Sequence, residues 1–291
     1  MEFRHYTDAD YEAVCGFLIE LNRADRSHVN WNWARFEWMY EHPWFAADLR
    51  NAIGLWLDGG RVVGAAIYDM YFGEAFAGVL PAYAALYPDV LKYAYKALKD
   101  DTGLAIAISD GNAAEIGAAQ AAGFQPIGQT ETIMAIDLDA PLSAELDPEF
   151  RLYEPDPDED FRAVQWAVWQ GFNHGEDRAQ FEQEEKPTPQ KRMHFRRDLN
   201  LCAVSPNGEY AGFVCLWMHD GTDYAYVEPV CTIPKHRGKG IAKALLYEAL
   251  NRARALGAKK AYVISDLAFY EKLGFRKELH YTFYRKNTAD S

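Results

Sequence analysis

A short basic segment with two glycines joins a strand pattern to a helix pattern in the second half of the chain. Its residues are Lys235, Arg237, Gly238, Lys239 and Gly240. The first N–H groups of a helix have no partner within it, and together with the helix dipole they attract anions. Glycine also lets a ligand approach the backbone closely. The segment predicts a phosphate or diphosphate site, and an ordinary glycine-containing turn is the alternative.

The composition indicates a globular protein with enough chain for two domains. The 291 residues are 49% hydrophobic and 25% charged, and no membrane-spanning apolar run or secretory leader is evident. The four cysteines lack metal-ligand spacing. We therefore expect reduced, buried thiols, no bound metal and a cytoplasmic location.

Charge is divided unevenly between the two halves. Residues 1–149 hold 9 basic and 23 acidic side chains, a net charge of −14, whereas residues 150–291 hold 21 and 20, a net charge of +1. The acidic half repels polyanions, and the second half has only a short basic cluster. We therefore expect neither nucleic acid nor a membrane as a partner.

The two halves repeat one order of elements. A Phe-Arg-x-Tyr sequence followed by acidic residues and a helix pattern begins at Phe3 and again at Phe150, 147 residues later. Gly-Phe pairs begin at Gly123 and Gly274, 151 residues apart. The similar offsets predict a tandem duplication with domains at 1–140 and 148–291. Each domain is expected to be a mixed sheet with flanking helices, of the α+β (mixed α/β) class.

Periodicity and turn residues place the elements within each half. In the first half, a final pair of strands is predicted near 124–137, after a helix that ends at Gly123. The predictions for the second half include an acidic loop at 176–185, helices at 188–199 and 240–256, strands at 224–233 and 261–265, and a last strand at 281–285.

The sequence PKHRGKGIAKALLYEAL, followed later by FYEKLGF, resembles the GNAT superfamily of N-acetyltransferases. The family signature Arg/Gln-x-x-Gly-x-Gly/Ala is matched by Arg237, Gly238, Lys239, Gly240, Ile241 and Ala242. The resemblance covers the second half well and the first half more weakly. It implies two tandem GNAT-like domains, each with a mostly antiparallel sheet and a splayed central strand pair. It also implies that the glycine loop holds the diphosphate of acetyl-CoA.

Pro229 interrupts the strand that leads to this loop. A proline inside a strand indicates a bulge or an edge strand. In the resembled family the strand bulges and separates from its neighbour, which opens a cleft for the pantetheine arm of the cofactor. The resemblance implies that the backbone of Val230, Cys231 and Thr232 binds this arm and polarises the acetyl oxygen.

Two side chains are candidates for acid–base catalysis at the cleft. Glu228 precedes the bulge, and the resemblance implies that it removes a proton from an incoming ammonium, directly or through water. Tyr270, within FYEKLGF, matches the family tyrosine that protonates the departing CoA thiolate. The structural alternatives are a solvent-facing glutamate and a packing aromatic. The family's Asn-x-x-Ala is absent before Tyr270, which predicts a shortened loop between strand and helix.

Cys231 suggests a different mechanism, in which a thiolate would carry the acyl group. The sequence places no histidine beside it to lower its pKa, because His236 lies beyond the turn. We interpret Cys231 as structural.

The first half lacks the chemical features of the second. At the corresponding junction it reads LPAYAALYPDVLKYAYKAL, without a glycine pair or an arginine, and Ala119 stands where the second half has Tyr270. We therefore expect a degenerate, non-catalytic first domain. Its aromatic residues between Trp31 and Phe45, Trp44 among them, are interpreted as core or interface.

These features predict an acetyl-CoA-dependent N-acetyltransferase that moves an acetyl group to a primary amine by direct attack in a ternary complex. The alternative is a non-catalytic acyl-CoA-binding sensor or regulatory module. The acidic first half and the acidic loop favour a small cationic amine as the acceptor partner, ahead of a peptide N-terminus or protein lysine. A monomer and a homodimer, and acetyl and longer acyl groups, are equally compatible with the sequence.

Overall fold

The computed structural model describes residues 1–42, 45–184 and 194–288. The chain packs into two compact units. Unit 1 comprises Met1–Met134, Ile264–Asp266 and Lys277–Ser291, and unit 2 comprises Ala135–Val263 and Leu267–Arg276. No helix in the described ranges combines the length and the apolar composition needed to cross a membrane.

Unit 1 is a mixed sheet with four helices in its described residues. The strands are β1 (Glu2–His5), β2 (Gly54–Asp58), β3 (Arg61–Asp69), β4 (Tyr71–Val79), β5 (Gly103–Ser109) and β6 (Gln125–Asp137). The helices are α1 (Tyr11–Ala24), α2 (Trp33–Glu41), α3 (Tyr87–Leu98) and α4 (Ala113–Ala121). The pairs β1–β2, β2–β3 and β3–β4 are antiparallel, and β4–β5 is parallel. The residues of β6 from Ala135 onward belong to unit 2.

Unit 2 repeats this plan. Its strands are β7 (Arg151–Tyr153), β8 (Asn200–Val204), β9 (Tyr210–Trp217), β10 (Tyr224–Thr232) and β11 (Lys260–Ile264), and its helices are α5 (Phe161–Gly171), α6 (Arg178–Glu184), α7 (Ile241–Ala255) and α8 (Ala268–Lys272). The pairs β7–β8, β8–β9 and β9–β10 are antiparallel, and β10–β11 is parallel. The two units share one strand order, which confirms the predicted mixed α/β class and tandem fold.

The helix α7 shows how the sequence sets the local structure. Its apolar residues recur at helical spacing and are buried, as at Ile241, Leu245 and Leu250. Basic residues occupy its last turn, where they complement the helix dipole. Gly257 follows the last turn with a φ of 104°, which ends the helix in a conformation that favours glycine.

The last strand of the chain, β12 (Arg276–Asn287), completes the sheet of unit 1. It pairs antiparallel with β5 over seven positions, from Tyr281–Ser109 to Asn287–Gly103, and β6 follows it in the sheet order. From Lys277 onward this strand belongs to unit 1. The packing units therefore differ here from the predicted domains at 1–140 and 148–291. Those ranges follow the repeat in the sequence, and they stay a prediction.

We expect Tyr281→Ala to destabilise unit 1. Tyr281 is fully buried, and removing a large aromatic side chain from a core costs about 3–5 kcal/mol. Hydrogen exchange should show increased opening of β2 to β5, the strands within residues 54–109 that form the sheet beside β12. Lys277→Ala is the matched control, because Lys277 is exposed near the start of the same strand. Unchanged protection of 54–109 in Tyr281→Ala would contradict this role of β12.

Three predicted elements are wrong in part. Residues 125–137 form one long strand and not a pair of strands. The predicted acidic loop contains the helix α6 at Arg178–Glu184, while Glu185 lies outside the described residues. The predicted helix at 188–199 ends in a 3-10 turn at Arg197–Leu199. Its residues 188–193 lie outside the described ranges, and so does Trp44.

Candidate functional site

The strand β10 contains the bulge that Pro229 predicts. The register between β10 and β9 shifts between Val227 and Val230, so Glu228 and Pro229 together face a single residue of β9. The peptide bond between Glu228 and Pro229 is cis. The bulge sets these two residues apart from the regular ladder.

The strands β10 and β11 separate before the bulge. Their parallel pairing runs from Tyr224–Lys260 to Tyr226–Tyr262, while β10 continues to Thr232. Within the described ranges, Val230, Cys231 and Thr232 therefore lie beyond the part of β10 that pairs with β11. This is the geometry that the predicted pantetheine site at Val230, Cys231 and Thr232 requires.

The indole of Trp217 holds the bulge from β9. Its Nε1–H donates to the backbone oxygen of Glu228 over 2.7 Å, and the side chain is only 4% exposed. The bulge removes this oxygen from the regular ladder, and the indole supplies the donor. The sequence analysis missed this contact, because nothing in the local pattern around Trp217 indicates which carbonyl it meets.

Tyr270 lies on α8 and is buried between the rings of Phe269 and Phe275. Burial, and then the negative charge of Glu228, raises the pKa of Tyr270 well above its usual value. The phenol is therefore protonated at neutral pH. The structure brings the two predicted catalytic side chains within electrostatic range of each other.

The glycine loop has the backbone conformation that its sequence indicates. Gly238 and Gly240 have φ angles of 81° and 77°, in the left-handed region that favours glycine. A Cβ atom built on either would meet nothing within 4 Å, so the space above the loop is open. Gly240 caps α7, whose first bond runs from the Ala244 N–H to the Gly240 oxygen. The N–H groups at the helix start, including those of Ile241 and Ala242, are left for a ligand.

The arginine of the motif is bound to three oxygen atoms of neighbouring segments. Its guanidinium donates to the backbone oxygens of Gly171 and Thr232 and to Oδ1 of Asn173, at 2.8, 3.1 and 2.8 Å. Arg237 thus connects the end of α5 to the end of β10 and the glycine loop. Gly171 and Asn173 are further residues that sequence analysis missed.

The other basic side chains of the loop are also engaged by carboxylates. Lys239 Nζ lies 3.3 Å from Glu149, and Lys235 Nζ lies 2.7 Å from Glu209. These pairs are largely exposed, and exposed pairs of this kind are weak. An anion at this loop would therefore depend chiefly on backbone N–H groups, and the lysines could turn toward it at little cost.

Cys231 is buried and unsuited to nucleophilic chemistry. It is 5% exposed, and burial raises the pKa of its thiol to about 12. Its Sγ lies 3.7 Å from the backbone oxygen of Ala167 on α5. These facts favour the structural interpretation over the acyl-carrier mechanism.

We expect Gly171→Ala to destabilise unit 2 by about 1–3 kcal/mol, the usual cost of overpacking. An added Cβ would lie 2.6 Å from Cβ and 2.8 Å from Sγ of Cys231. The control is Gly16→Ala on α1, where nothing lies within 4 Å and the better helix propensity of alanine should raise stability slightly. Urea unfolding of both variants measures this, and equal stability of the two would show that α5 does not pack closely on Cys231.

The corresponding stretch of unit 1 is covered by its own side chains. Phe76 occupies the position of Pro229, five residues before the proline at the end of each strand, and its ring lies against Gly78, where it leaves no room for a Cβ atom. Trp31 stacks on Phe76, and His28 contacts its edge. The pairing of β4 with β3 runs without a bulge through this position. The strands β4 and β5 also separate, since their parallel pairing is at Glu74–Ala105 and β4 continues to Val79. Unit 1 therefore differs from unit 2 at this place in its covering side chains and in the regular β3–β4 pairing.

A buried ion pair closes the same region of unit 1. His28 Nε2 lies 3.1 Å from Glu115 on α4. Burial opposes the charge of His28, but the carboxylate of Glu115 outweighs it and raises the pKa of the imidazole. These contacts support the expectation of a non-catalytic first copy.

The helix that carries Tyr270 is shorter than its counterpart. Both copies contain Ile-Ser-Asp at the end of the parallel strand, at Ile108 and Ile264. Two residues separate this tripeptide from α4 and one separates it from α8, and α4 has nine residues whereas α8 has five. Compared with unit 1, the loop is therefore one residue shorter, and most of the shortening lies in the helix.

The acidic segment of unit 2 is partly neutralised. Glu182 on α6 accepts hydrogen bonds from Arg162 and Arg178. Its charge is therefore shared with two guanidinium groups and does not face solvent alone. An attraction for cationic acceptors would have to come from the remaining carboxylates.

Comparison with known proteins identifies similar sequences. The acetyltransferase (GNAT) family matches residues 146–275. The uncharacterized N-acetyltransferase YhbS of Escherichia coli (strain K12) is 31% identical over 87 residues, 28% of this chain and 52% of that protein. The glucosamine 6-phosphate N-acetyltransferase of Trypanosoma brucei brucei is 34% identical over 79 residues, 24% of this chain and 54% of that protein. The matches span about half the length of these curated relatives.

Solved structures share the fold over nearly the whole chain. A GCN5-related N-acetyltransferase from Sphaerobacter thermophilus has a TM-score of 0.60 at 18% identity, covering 98% of this chain and 95% of that one. A tandem GNAT protein from the clavulanic acid biosynthesis pathway has a TM-score of 0.62 at 18% identity, covering 98% of each chain. At this identity the likeness is one of fold, and it includes the tandem arrangement.

Proposed function

Because this chain belongs to the GNAT acetyltransferase family through residues 146–275, we propose that unit 2 transfers an acetyl group from acetyl-CoA to a primary amine. The observation that carries the proposal is the combination of an open glycine loop with a bulged, splayed strand in unit 2. In its described residues, unit 1 has neither the glycine loop nor a bulge at the position that corresponds to Pro229. We assign it no catalytic role.

Acetyl-CoA is the cosubstrate that these residues fit. The open positions above Gly238 and Gly240 and the unpaired N–H groups at the start of α7 suit its diphosphate. The separated stretch Val230–Thr232 of β10 suits the amides of its pantetheine arm, which pair as a strand would. Arg237 keeps these two parts in register through its bonds to Gly171 and Thr232.

The reaction we propose is direct attack in a ternary complex. The acceptor arrives as an ammonium, and Glu228 removes one proton, directly or through water. The amine nitrogen then attacks the acetyl carbonyl carbon, so a C–N bond forms, the C–S bond to CoA breaks, and the nitrogen releases its second proton to solvent. Backbone N–H groups near Val230 stabilise the negative charge on the oxygen. Tyr270 is protonated at neutral pH; its hydroxyl donates a proton to the departing thiolate and regains one from solvent.

A small cationic amine is the acceptor we propose. The net charge of −13 favours encounter with a cation. The curated relative from Trypanosoma brucei brucei is named for glucosamine 6-phosphate, a small primary amine whose phosphate makes it anionic overall, so it supports an amine acceptor but not the positive charge. A peptide N-terminus is the second choice. Neither acceptor requires nucleic acid or a membrane as a partner.

The test is release of CoA thiol from acetyl-CoA with a panel of amines that includes polyamines, amino sugars, aminoglycosides, amino-acid derivatives and peptides. We expect thiol release that depends on one class of amine and an equal amount of N-acetylated product. Tight binding of acetyl-CoA with no turnover across the panel would contradict the proposal and favour the sensor function.

A further inference from the structure

We propose that Trp217 is a positioning residue for acetyl transfer, because its indole N–H fixes the bulge that orients Glu228 and the strand backbone at Val230. This inference rests on the proposed function and deepens it. Trp217 is placed to act through Glu228, and no reacting atom need touch it.

The geometry of the bulge explains why one hydrogen bond can matter. Proline fixes its own φ and narrows the range of the residue before it, so the ψ angle of Glu228 is one of the few dihedrals left to adjust at this junction. The backbone oxygen of Glu228 moves with that angle, and Trp217 Nε1 holds it at 2.7 Å. Fixing the oxygen therefore fixes the direction of the Glu228 side chain relative to the N–H groups that follow Pro229.

Two effects keep the indole N–H at this contact, the hydrogen bond itself and the burial of the side chain. Trp217 is 4% exposed, so its N–H cannot turn to water if the bulge relaxes. A buried donor without a partner costs about as much as the lost hydrogen bond or more. Relaxation of the bulge is therefore opposed by the burial of Trp217 as well as by the bond itself.

The two copies in this chain provide an internal comparison. Gly64 pairs with Val79 in unit 1 as Gly212 pairs with Thr232 in unit 2, which aligns the strands. Five residues after these glycines, unit 2 has Trp217 and unit 1 has Asp69. The unit 1 ladder is regular from Gly64–Val79 to Tyr68–Ala75 and shifts register only between Tyr68 and Asp69, whereas the unit 2 ladder is bulged at Glu228 and Pro229. The copy with the tryptophan is thus the one whose ladder is bulged at this position.

The experiment replaces the N–H without changing the shape of the side chain. The variants are Trp217→Phe and Trp217 replaced site-specifically by benzothienylalanine, which has sulfur in place of N–H. We expect kcat to fall about tenfold, the size of one hydrogen bond, while KM for acetyl-CoA stays within about twofold. We also expect the pH dependence of kcat to shift, because Glu228 no longer has a fixed position.

The matched control is Trp169→Phe. Trp169 is equally buried in unit 2, but its Nε1 has no hydrogen-bond partner in the described chain. Its loss should leave kcat and the pH profile unchanged. If Trp217→Phe does not fold, the isosteric benzothienylalanine variant decides the question.

The experiment distinguishes a failure of the proposed function from a failure of the inference about Trp217. If the wild-type protein acetylates no amine, the proposed function is wrong. If the wild type is active and the benzothienylalanine variant keeps the wild-type kcat and pH profile, this inference is overturned. It is also overturned if the variant is impaired in both kcat and KM, because Trp217 is then only a packing residue.

Discussion

Gly240→Glu is expected to weaken acetyl-CoA binding by at least about 100-fold, or roughly 2.7 kcal/mol. Gly240 has a φ of 77° and caps α7 at the point where the diphosphate is proposed to lie. A carboxylate there would occupy the open space and repel the phosphates, and it would compete with them for the helix N–H groups. Isothermal titration calorimetry with acetyl-CoA measures the effect.

The control for this variant is Gly257→Glu at the other end of the same helix. Gly257 also has a positive φ, 104°, and open space around its Cβ position, so the backbone strain and the added charge are comparable. We expect a loss of stability there without a loss of cofactor affinity. If both variants bind acetyl-CoA equally, or if Gly240→Glu binds like the wild type, the diphosphate does not lie at this loop.

Tyr270→Phe is expected to lower kcat by about 10²–10⁴-fold, the range of a general acid, with little change in KM for acetyl-CoA. The phenyl ring keeps the contacts with Phe269 and Phe275, so the variant removes the hydroxyl alone. In the wild type, burial and Glu228 raise the pKa of Tyr270, so the rate should show no loss from its ionisation between pH 6 and about 10. Steady-state kinetics across this pH range tests both statements.

Tyr153→Phe provides the comparison for a lost phenol. Its hydroxyl donates to Asp160 at 2.8 Å, so this variant also loses one hydrogen bond, on a strand at the start of unit 2. We expect its kcat to match the wild type. A kcat for Tyr270→Phe that equals that of Tyr153→Phe would show that another group protonates the thiolate.

The parts of this protein that local sequence determines were predictable. Gly238 and Gly240 permit a left-handed backbone, and Pro229 cannot continue a regular ladder. The loop and the bulge therefore follow from the chemistry of these residues. The order of strands and helices follows from apolar periodicity in the same way. The repeat adds a second, independent observation of each element.

The parts that depend on distant contacts were not predictable. The pairing of β12 with β5 joins Tyr281 to Ser109, and nothing in either segment specifies that partner. The contacts of Arg237 with Gly171 and of Trp217 with Glu228 also join separate segments. The helix α6 lies in a stretch that the sequence predicts as a loop, because charged and polar residues surround the one buried residue, Phe181, that anchors it.

The asymmetry between the copies is the central feature of the account. Unit 2 has a bulge at Pro229 and open space beside Gly240. In unit 1 the ring of Phe76 lies against Gly78, and His28 forms an ion pair with Glu115. Each difference concerns the same place in the repeated fold. We therefore expect one cofactor site per chain.

Hydrogen–deuterium exchange of the full chain with and without acetyl-CoA tests this claim most directly. We predict that the cofactor slows exchange at residues 230–243, which span the open part of β10, the glycine loop and the start of α7, and leaves residues 76–87 unchanged. Protection at 76–87 with none at 230–243 would place the cofactor in the first copy and contradict the account.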